Sequence, residues 1–393
     1  MNGIFIIMAS IVSLAVAQQS PVLIIPGTGG NRLEARLDKS EVPHFYCSKK
    51  ADWYDLWLDV KQLLPGAIDC WCENIKLLYD AETSTFSNNK GVETRVPCYG
   101  DVCGIEYLDP SLKIGDSAYF HDIIQAFADK GYVRGENIVS APYDFRYSAH
   151  SNKDDYVNAT MTLAEDLYEK TGQKVLWVSH SMGGLWSHYI LSKADQAWKD
   201  KYIEAWVPVA PAYGGTANEM KLFASGNNEG IPGVSGKTVR EEQRSYESNF
   251  WLLPSLYLWD ENEVLVTTPS RSYTSKDFAD FFVDIGFPDG KQIYEAMKNE
   301  VYGLEDPGLP TFVRYGVGQE TPASYEYTKA GDWDNGLKQT NEDGDGTVNR
   351  RSLEAGLAMK WENADHKAFD GEDHTSVLKN KDLIAELLEL ANA

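Results

Sequence analysis

Basic residues are scarce in this chain. Its 393 residues hold 36 Lys and Arg against 59 Asp and Glu, a formal net charge of −23. Phosphate binding needs clustered Lys and Arg, so this balance excludes nucleic acid as a partner, and the same charge is repelled by strongly anionic membranes. Cysteine is sparse as well: five residues, none beyond Cys103. Internal repeats and low-complexity linkers are missing. After the N-terminal apolar run, no stretch is long enough to cross a bilayer. What remains is a globular chain, 43% hydrophobic, long enough for a large core and more than one subdomain.

The N-terminus reads MNGIFIIMASIVSLAVAQQS. Ile4 to Ala17 is too short for a comfortable span, and Ala15-Val16-Ala17 fits the small-x-small cleavage rule, although no Lys or Arg precedes the run. Residues 1–17 therefore read as a signal peptide. Asn158-Ala159-Thr160 is a sequon, which makes Asn158 a candidate glycosylation site. Both point to the secretory pathway, with a lysosomal or secreted destination. Disulfides are expected in that compartment, and five cysteines leave at least one free thiol. Cys98 and Cys103 are spaced to close a small loop. Cys47 then has two candidate partners, Cys70 and Cys72.

Apolar strands alternate with helical patterns, which predicts an α/β fold with a mainly parallel sheet. Strands are expected at Val22–Ile25, Ile138–Ala141, Lys174–Val178, Ile203–Val209, Val264–Thr267 and Phe312–Val317. Helices are expected over Asp154–Lys170, capped by Gly172, over Leu185–Leu191 and over Ser376–Leu390. Two regions break the rhythm. Residues 41–110 carry the cysteines and an aromatic-rich patch. Residues 214–250 are rich in Gly, Asn and charge, and a loop of that length is commonly a lid.

The strand ending at Val178 runs into Ser179-His180-Ser181-Met182-Gly183-Gly184 and then a helical pattern. This is the layout of a nucleophile elbow, S-x-S-x-G in place of G-x-S-x-G, with Ser181 at its apex. A nucleophilic serine needs a base and an acid to orient that base, in the chain order Ser, acid, His for an α/β-hydrolase. Only His366 and His374 come late enough. His374 sits in a polar loop before the last helix, where this fold presents its base. His366 lies in a charged stretch and reads as a solvated surface residue. Asp345, flanked by Gly344 and Gly346, is the candidate acid, with Asp343 the alternative. Asn341, Asp343, Asp345 and Gly346 also match positions 1, 3, 5 and 6 of a calcium loop. Position 12 is Ser352 rather than Glu and no helix pattern precedes the segment, so no metal is assigned.

The stretch VLIIPGTGGN (22–31) has more glycine than a turn requires. A tetrahedral intermediate needs fixed N–H donors for its oxyanion. One comes from the residue after the nucleophile, Met182. The other comes from a loop at the end of an earlier strand, and Gly27-Thr28-Gly29-Gly30 is that loop.

Together with SHSMGG, the segments PVLIIPGTGGNRLEARLDK (21–39), CSKKADWYDLWLDVKQLLPGAIDCW (47–71), SYESNFWLLP (245–254), DIGFPDG (284–290) and DGDGTVN (343–349) resemble the lecithin:cholesterol acyltransferase-like lipases. They cover nearly the whole chain after the leader. The resemblance implies an α/β-hydrolase fold over 18–393, with a small membrane-binding subdomain within 41–110 and a lid at 214–250. It implies a phospholipase that passes the acyl group to water or a lipophilic alcohol at a phospholipid membrane surface, without a cofactor. Carried across residue by residue, it implies Ser181 as nucleophile, Asp345 as acid, His374 as base, and Thr28 and Met182 as oxyanion donors. It also implies a Cys47–Cys70 bridge that leaves Cys72 free. The family's usual alanine before the elbow histidine is Ser179 here, and Cys98 and Cys103 are particular to this sequence.

Residues 47–71 hold too many large apolar groups for a solvated loop. Trp and Tyr favour a membrane interface. Trp53, Trp57, Leu63 and Leu64 are the candidate membrane contacts, with core packing the competing role for about half of the apolar groups in this stretch. A second reading of the whole chain is a catalytically silent hydrolase-fold protein that binds lipid or mediates adhesion. The complete Ser, Asp and His set favours the enzyme.

Overall fold

The computed structural model describes residues 19–113, 117–228, 233–298 and 303–392, apart from the side chains at 152 and 153. The predicted leader, residues 1–17, lies outside them, as do residues 229–232 of the 214–250 segment. Six strands form the central sheet: β1 (Val22–Ile25), β2 (Ile138–Ser140), β3 (Val175–His180), β4 (Ile203–Val209), β5 (Thr311–Val317) and β6 (Ala364–Asp370). Their order is β6-β5-β4-β3-β1-β2, and every neighbouring pair is parallel. This is an α/β-hydrolase-type sheet. Parallel strands need both faces covered, so they read as continuous apolar runs. β1 and β3 are buried at every position.

The chain leaves β1 on one side to make β2, then crosses back to lay β3 on the other. The strand order reverses there, and the crevice at the carboxyl ends of β1 and β3 is where such sheets bind ligands. The long helix Ala149–Thr171 ends at Gly172, whose φ of 70° is the left-handed cap predicted for it.

Several expectations need correcting. Val266–Thr267 is a strand, but in a separate sheet with Ser272–Tyr273, Gln319–Tyr327 and Leu337–Gly344. The Ser376–Leu390 helix is two pieces. After a short turn at Ser376–Lys379, Asn380 accepts the N–H groups of Asp382 and Leu383 and starts a new helix, Lys381–Leu390. Residues 214–250 are not a long loop. They fold into helices Asn218–Ser225, Gly236–Arg244 and the start of Glu247–Trp251, with Met220, Phe223 and Phe250 buried.

The cysteine-bearing region folds around an antiparallel sheet of Lys50–Trp57, Leu33–Asp38 and Val92–Arg95, with helix Ile68–Ile75 and the hairpin Leu77–Asp80/Thr85–Asn88. Its middle strand, Leu33–Asp38, lies before residue 41, so the unit reaches back further than its composition suggests. Disulfides join Cys47 to Cys70 and Cys98 to Cys103, and Cys72 is free. Burial pushes the Cys72 thiol well up, so it stays protonated. Fully buried Arg146 ties this unit to the core through the Asp144 carboxylate, the Ile75 carbonyl (2.8 Å), Asn88 (2.8 Å) and Thr94 (2.9 Å). No described helix is long and apolar enough to cross a membrane.

Candidate active site

Ser181 sits between β3 and helix Met182–Lys193 with φ 53° and ψ −127°, a conformation that non-glycine residues rarely hold. Such strain clusters at functional sites. The turn lifts the hydroxyl out of the sheet edge and makes Met182 the first helical residue, whose N–H is among those a helix leaves without an internal partner. The loop after β1 closes on itself through the Gly30 N–H to the Gly27 carbonyl, 3.0 Å. Its glycines have separate reasons. A Cβ on Gly27 would stand 2.7 Å from the Ser181 Cβ, and one on Gly30 2.7 Å from the Tyr119 ring. The loop is glycine-rich because the nucleophile and a tyrosine press against its backbone.

Ser181 Oγ lies 2.9 Å from His374 Nε2, and His374 Nδ1 lies 2.7 Å from Asp345 Oδ2. Asp345 is fully buried at the end of strand Leu337–Gly344. Its other oxygen accepts the N–H groups of Thr347 (3.0 Å) and Val348 (2.7 Å). The His374 N–H also donates to the Asp345 carbonyl, 2.9 Å. Bonding to the carboxylate places the proton on Nδ1 and leaves Nε2 free to take one from Ser181. Asp343 points elsewhere: it pairs with Arg350 at 2.9 Å and accepts the Gly318 N–H at 2.8 Å. His366 is not a solvated surface residue. Its ring nitrogens are shielded beside Gly356 on β6, and burial lowers its pKa. β6 is three strand spacings from β3, roughly 14 Å, so His366 has no part in the site.

Beside this cluster is a largely apolar cavity of about 190 Å³. Thr28, Gly29, Trp57, Leu63, Trp71 and Phe145 wall one part of it, and Leu222, Val234, Val239 and Tyr246 of the 214–250 segment roof it. The four candidate membrane contacts therefore separate. Leu63 is buried and lines the cavity, so it cannot reach a bilayer in this arrangement. Trp57 also faces the cavity, and its indole N–H donates to the Gly29 carbonyl at 2.7 Å. Trp53 lies under the guanidinium groups of Arg36 and Arg95, 5.4 and 4.3 Å from its ring centre. Leu64 stands exposed on the outer surface, as does Phe45 at 98% exposure. Asn158 is exposed on the long helix, and Thr160 turns inward with its hydroxyl donated to the Tyr156 carbonyl.

The sequence model of lecithin:cholesterol acyltransferase matches residues 53–303. The chain is 39% identical over 381 residues to the human protein named lysosomal phospholipase A and acyltransferase, covering 95% of this chain and 91% of that one. The chain belongs to the lecithin:cholesterol acyltransferase family. Within that family it is also 36% identical over 370 residues to a rat phosphatidylcholine-sterol acyltransferase, covering 92% of this chain and 83% of that one. The crystal structure of a Tle4–Tli4 complex aligns over 95% of this chain and 97% of its own at a TM-score of 0.50 and 13% identity, a likeness of fold alone.

Two residues at the site escaped the sequence reading. Tyr119 carries no local signal. His180 was visible in the elbow motif only as a neighbour of Ser181.

Proposed function

We propose that this family member is a serine-dependent phospholipase A and acyltransferase, acting on the fatty acyl esters of glycerophospholipids in a lysosomal or secreted setting. The observation that carries the reading is the 2.9 Å contact between Ser181 Oγ and His374 Nε2, with buried Asp345 behind the ring. Ser181 attacks the acyl carbonyl carbon while its proton passes to His374 Nε2. The N–H groups of Thr28 and Met182 receive the oxyanion. Collapse expels the lysophospholipid oxygen, which takes the proton from His374, and leaves an acyl ester on Ser181. Water or a lipophilic alcohol then gives a proton to His374 and attacks that ester, releasing a fatty acid or a new ester.

The apolar cavity beside the loop suits an acyl chain, with 214–250 as its lid. Leu64 is the remaining candidate for contact with a phospholipid surface from the outer face of the disulfide-closed loop. The alternative, a silent lipid-binding or adhesion protein, leaves the strained serine and the complete hydrogen-bonded set unexplained. A fluorophosphonate probe tests the choice. Covalent labelling that disappears in Ser181→Ala supports the enzyme, and folded wild-type protein that resists labelling contradicts it.

A further inference from the structure

His180 and Tyr119 lie directly behind the reacting groups, and no step above uses them. The Gly27 N–H lies 3.0 Å from Tyr119 Oη, Tyr119 Oη lies 2.5 Å from His180 Nδ1, and His180 Nε2 lies 2.8 Å from the backbone carbonyl of His374. Donor chemistry fixes the direction of every bond. A carbonyl only accepts, so His180 Nε2 carries a proton. Complete burial, with His374 beside it, pulls the imidazole down to about 3, so the ring is neutral and its Nδ1 is an acceptor. Burial likewise raises the Tyr119 phenol, which stays protonated and donates to Nδ1. Its oxygen then accepts the Gly27 N–H. The chain runs without a break from the loop after β1, through the elbow, to the loop of the base.

Those three segments come from separate parts of the sequence and meet only around Ser181. Of the two oxyanion donors, Thr28 belongs to the first and Met182 to the second, and the proton acceptor His374 belongs to the last. Reacting groups need to be held to within about 0.5 Å of the productive geometry by a supporting shell. His374 is gripped on its other side by Asp345, through the backbone bond at 2.9 Å and the carboxylate at 2.7 Å. The His180 bond completes that hold from the side of the oxyanion loop.

We infer, resting on the serine-hydrolase reading, that Tyr119 and His180 are positioning residues that fix the separation between the oxyanion loop and the His374 base. Their hydrogen bonds end on the Gly27 N–H and the His374 carbonyl rather than on the reacting atoms, and the His180 ring also packs against the His374 ring, 4.8 Å between centres.

The test is steady-state kinetics on a soluble ester for wild type, Tyr119→Phe, His180→Gln, His180→Asn and the Tyr119→Phe/His180→Gln double variant. Turnover is normalised to fluorophosphonate-titrated sites, so misfolded protein does not enter kcat. Tyr119→Phe keeps the ring against Phe120 and removes only the hydroxyl. It should lower kcat by about tenfold or more while KM stays within about twofold. The double variant should be no worse than its poorer parent, because one chain is broken once. His180→Gln, whose amide N–H reaches where Nε2–H does, should retain more kcat than His180→Asn. Tyr119→Phe with wild-type kcat, or single effects that multiply in the double variant, would overturn the inference while leaving the enzyme reading intact. A wild type that neither labels nor turns over would remove both.

Discussion

The hydroxyl of Thr28 lies 3.2 Å from the sulfur of Met182, so the two residues assigned as oxyanion donors are joined across the mouth of the site. Threonine cannot ionise, and its hydroxyl donates toward the sulfur. An aspartate in its place would set a negative charge beside the developing oxyanion whenever it is ionised. Next to an apolar cavity and that oxyanion, its pKa would be raised, so acid would relieve the penalty. On a soluble ester, Thr28→Asp should lose more activity at pH 7 than at pH 5 relative to wild type. Parallel pH profiles measured from pH 4 to 8 test this, and profiles that overlay would remove the role given to Thr28.

Ser181→Ala and His374→Ala should each lower ester turnover by about 10⁴-fold or more, and the double variant should be little worse than either, because the residues act as a unit. His366→Ala should leave kcat near wild type, since its ring sits under the sheet edge beside Gly356. Kinetics on purified variants decide it. An inactive His366→Ala beside an active His374→Ala would reverse the assignment of the base.

Trp57 and Leu64 should behave differently. Trp57 holds the Gly29 carbonyl and lines the cavity, so Trp57→Ala should impair soluble esters and liposomes alike. Leu64 is 54% exposed, so Leu64→Ala should weaken liposome sedimentation by about 1–3 kcal/mol if the side chain inserts, and spare the soluble ester. Equal losses on both substrates for Leu64→Ala would place it in packing rather than membrane contact.

Asp334, in the turn between strands Gln319–Tyr327 and Leu337–Gly344, links that hairpin to the roofing helix Gly236–Arg244, 2.7 Å from Lys237 and 2.6 Å from Arg240. The bond from Lys237, then that from Arg240, hold its carboxyl below the usual range despite partial burial. A depressed folded-state pKa means stabilisation that is complete above the unfolded value and lost as pH falls through the folded one. Asp334→Asn should therefore lower the urea midpoint at pH 5 to 7, and the difference should vanish only below the ordinary aspartate range. A difference that vanishes at pH 5 would contradict the pairing.

Much of this was legible in the sequence, for physical reasons. β1, the Val175–Val178 part of β3 and β4 apart from Glu204 are buried on both faces and so appear as apolar runs. Ser181 was marked by a strand, a tight turn and a helix, His374 by chain order, and Asp345 by the glycines that let its backbone turn. β6 was missed because it is an edge strand, ADHKAFD, with little of it fully buried. The helices within 214–250 were hidden by Gly, Asn and charge, since several residues they bury are themselves charged or polar, among them Glu219, Glu242, Gln243 and Arg244. Composition marked 47–71 as rich in large apolar groups, but whether Trp57 and Leu63 point into a cavity or out to a membrane depends on tertiary packing. Tyr119 reaches the site from a segment with no motif at all.

The central claim is that Ser181 carries an acyl group from a phospholipid to water or an alcohol. Mass spectrometry of products from mixed phospholipid liposomes, with and without a long-chain alcohol, tests it most directly. The account predicts lysophospholipid and free fatty acid without the alcohol, the fatty acyl ester of the alcohol when it is present, and neither with Ser181→Ala. Folded wild-type protein that binds the liposomes and releases no acyl product, or products that persist in Ser181→Ala, would contradict it.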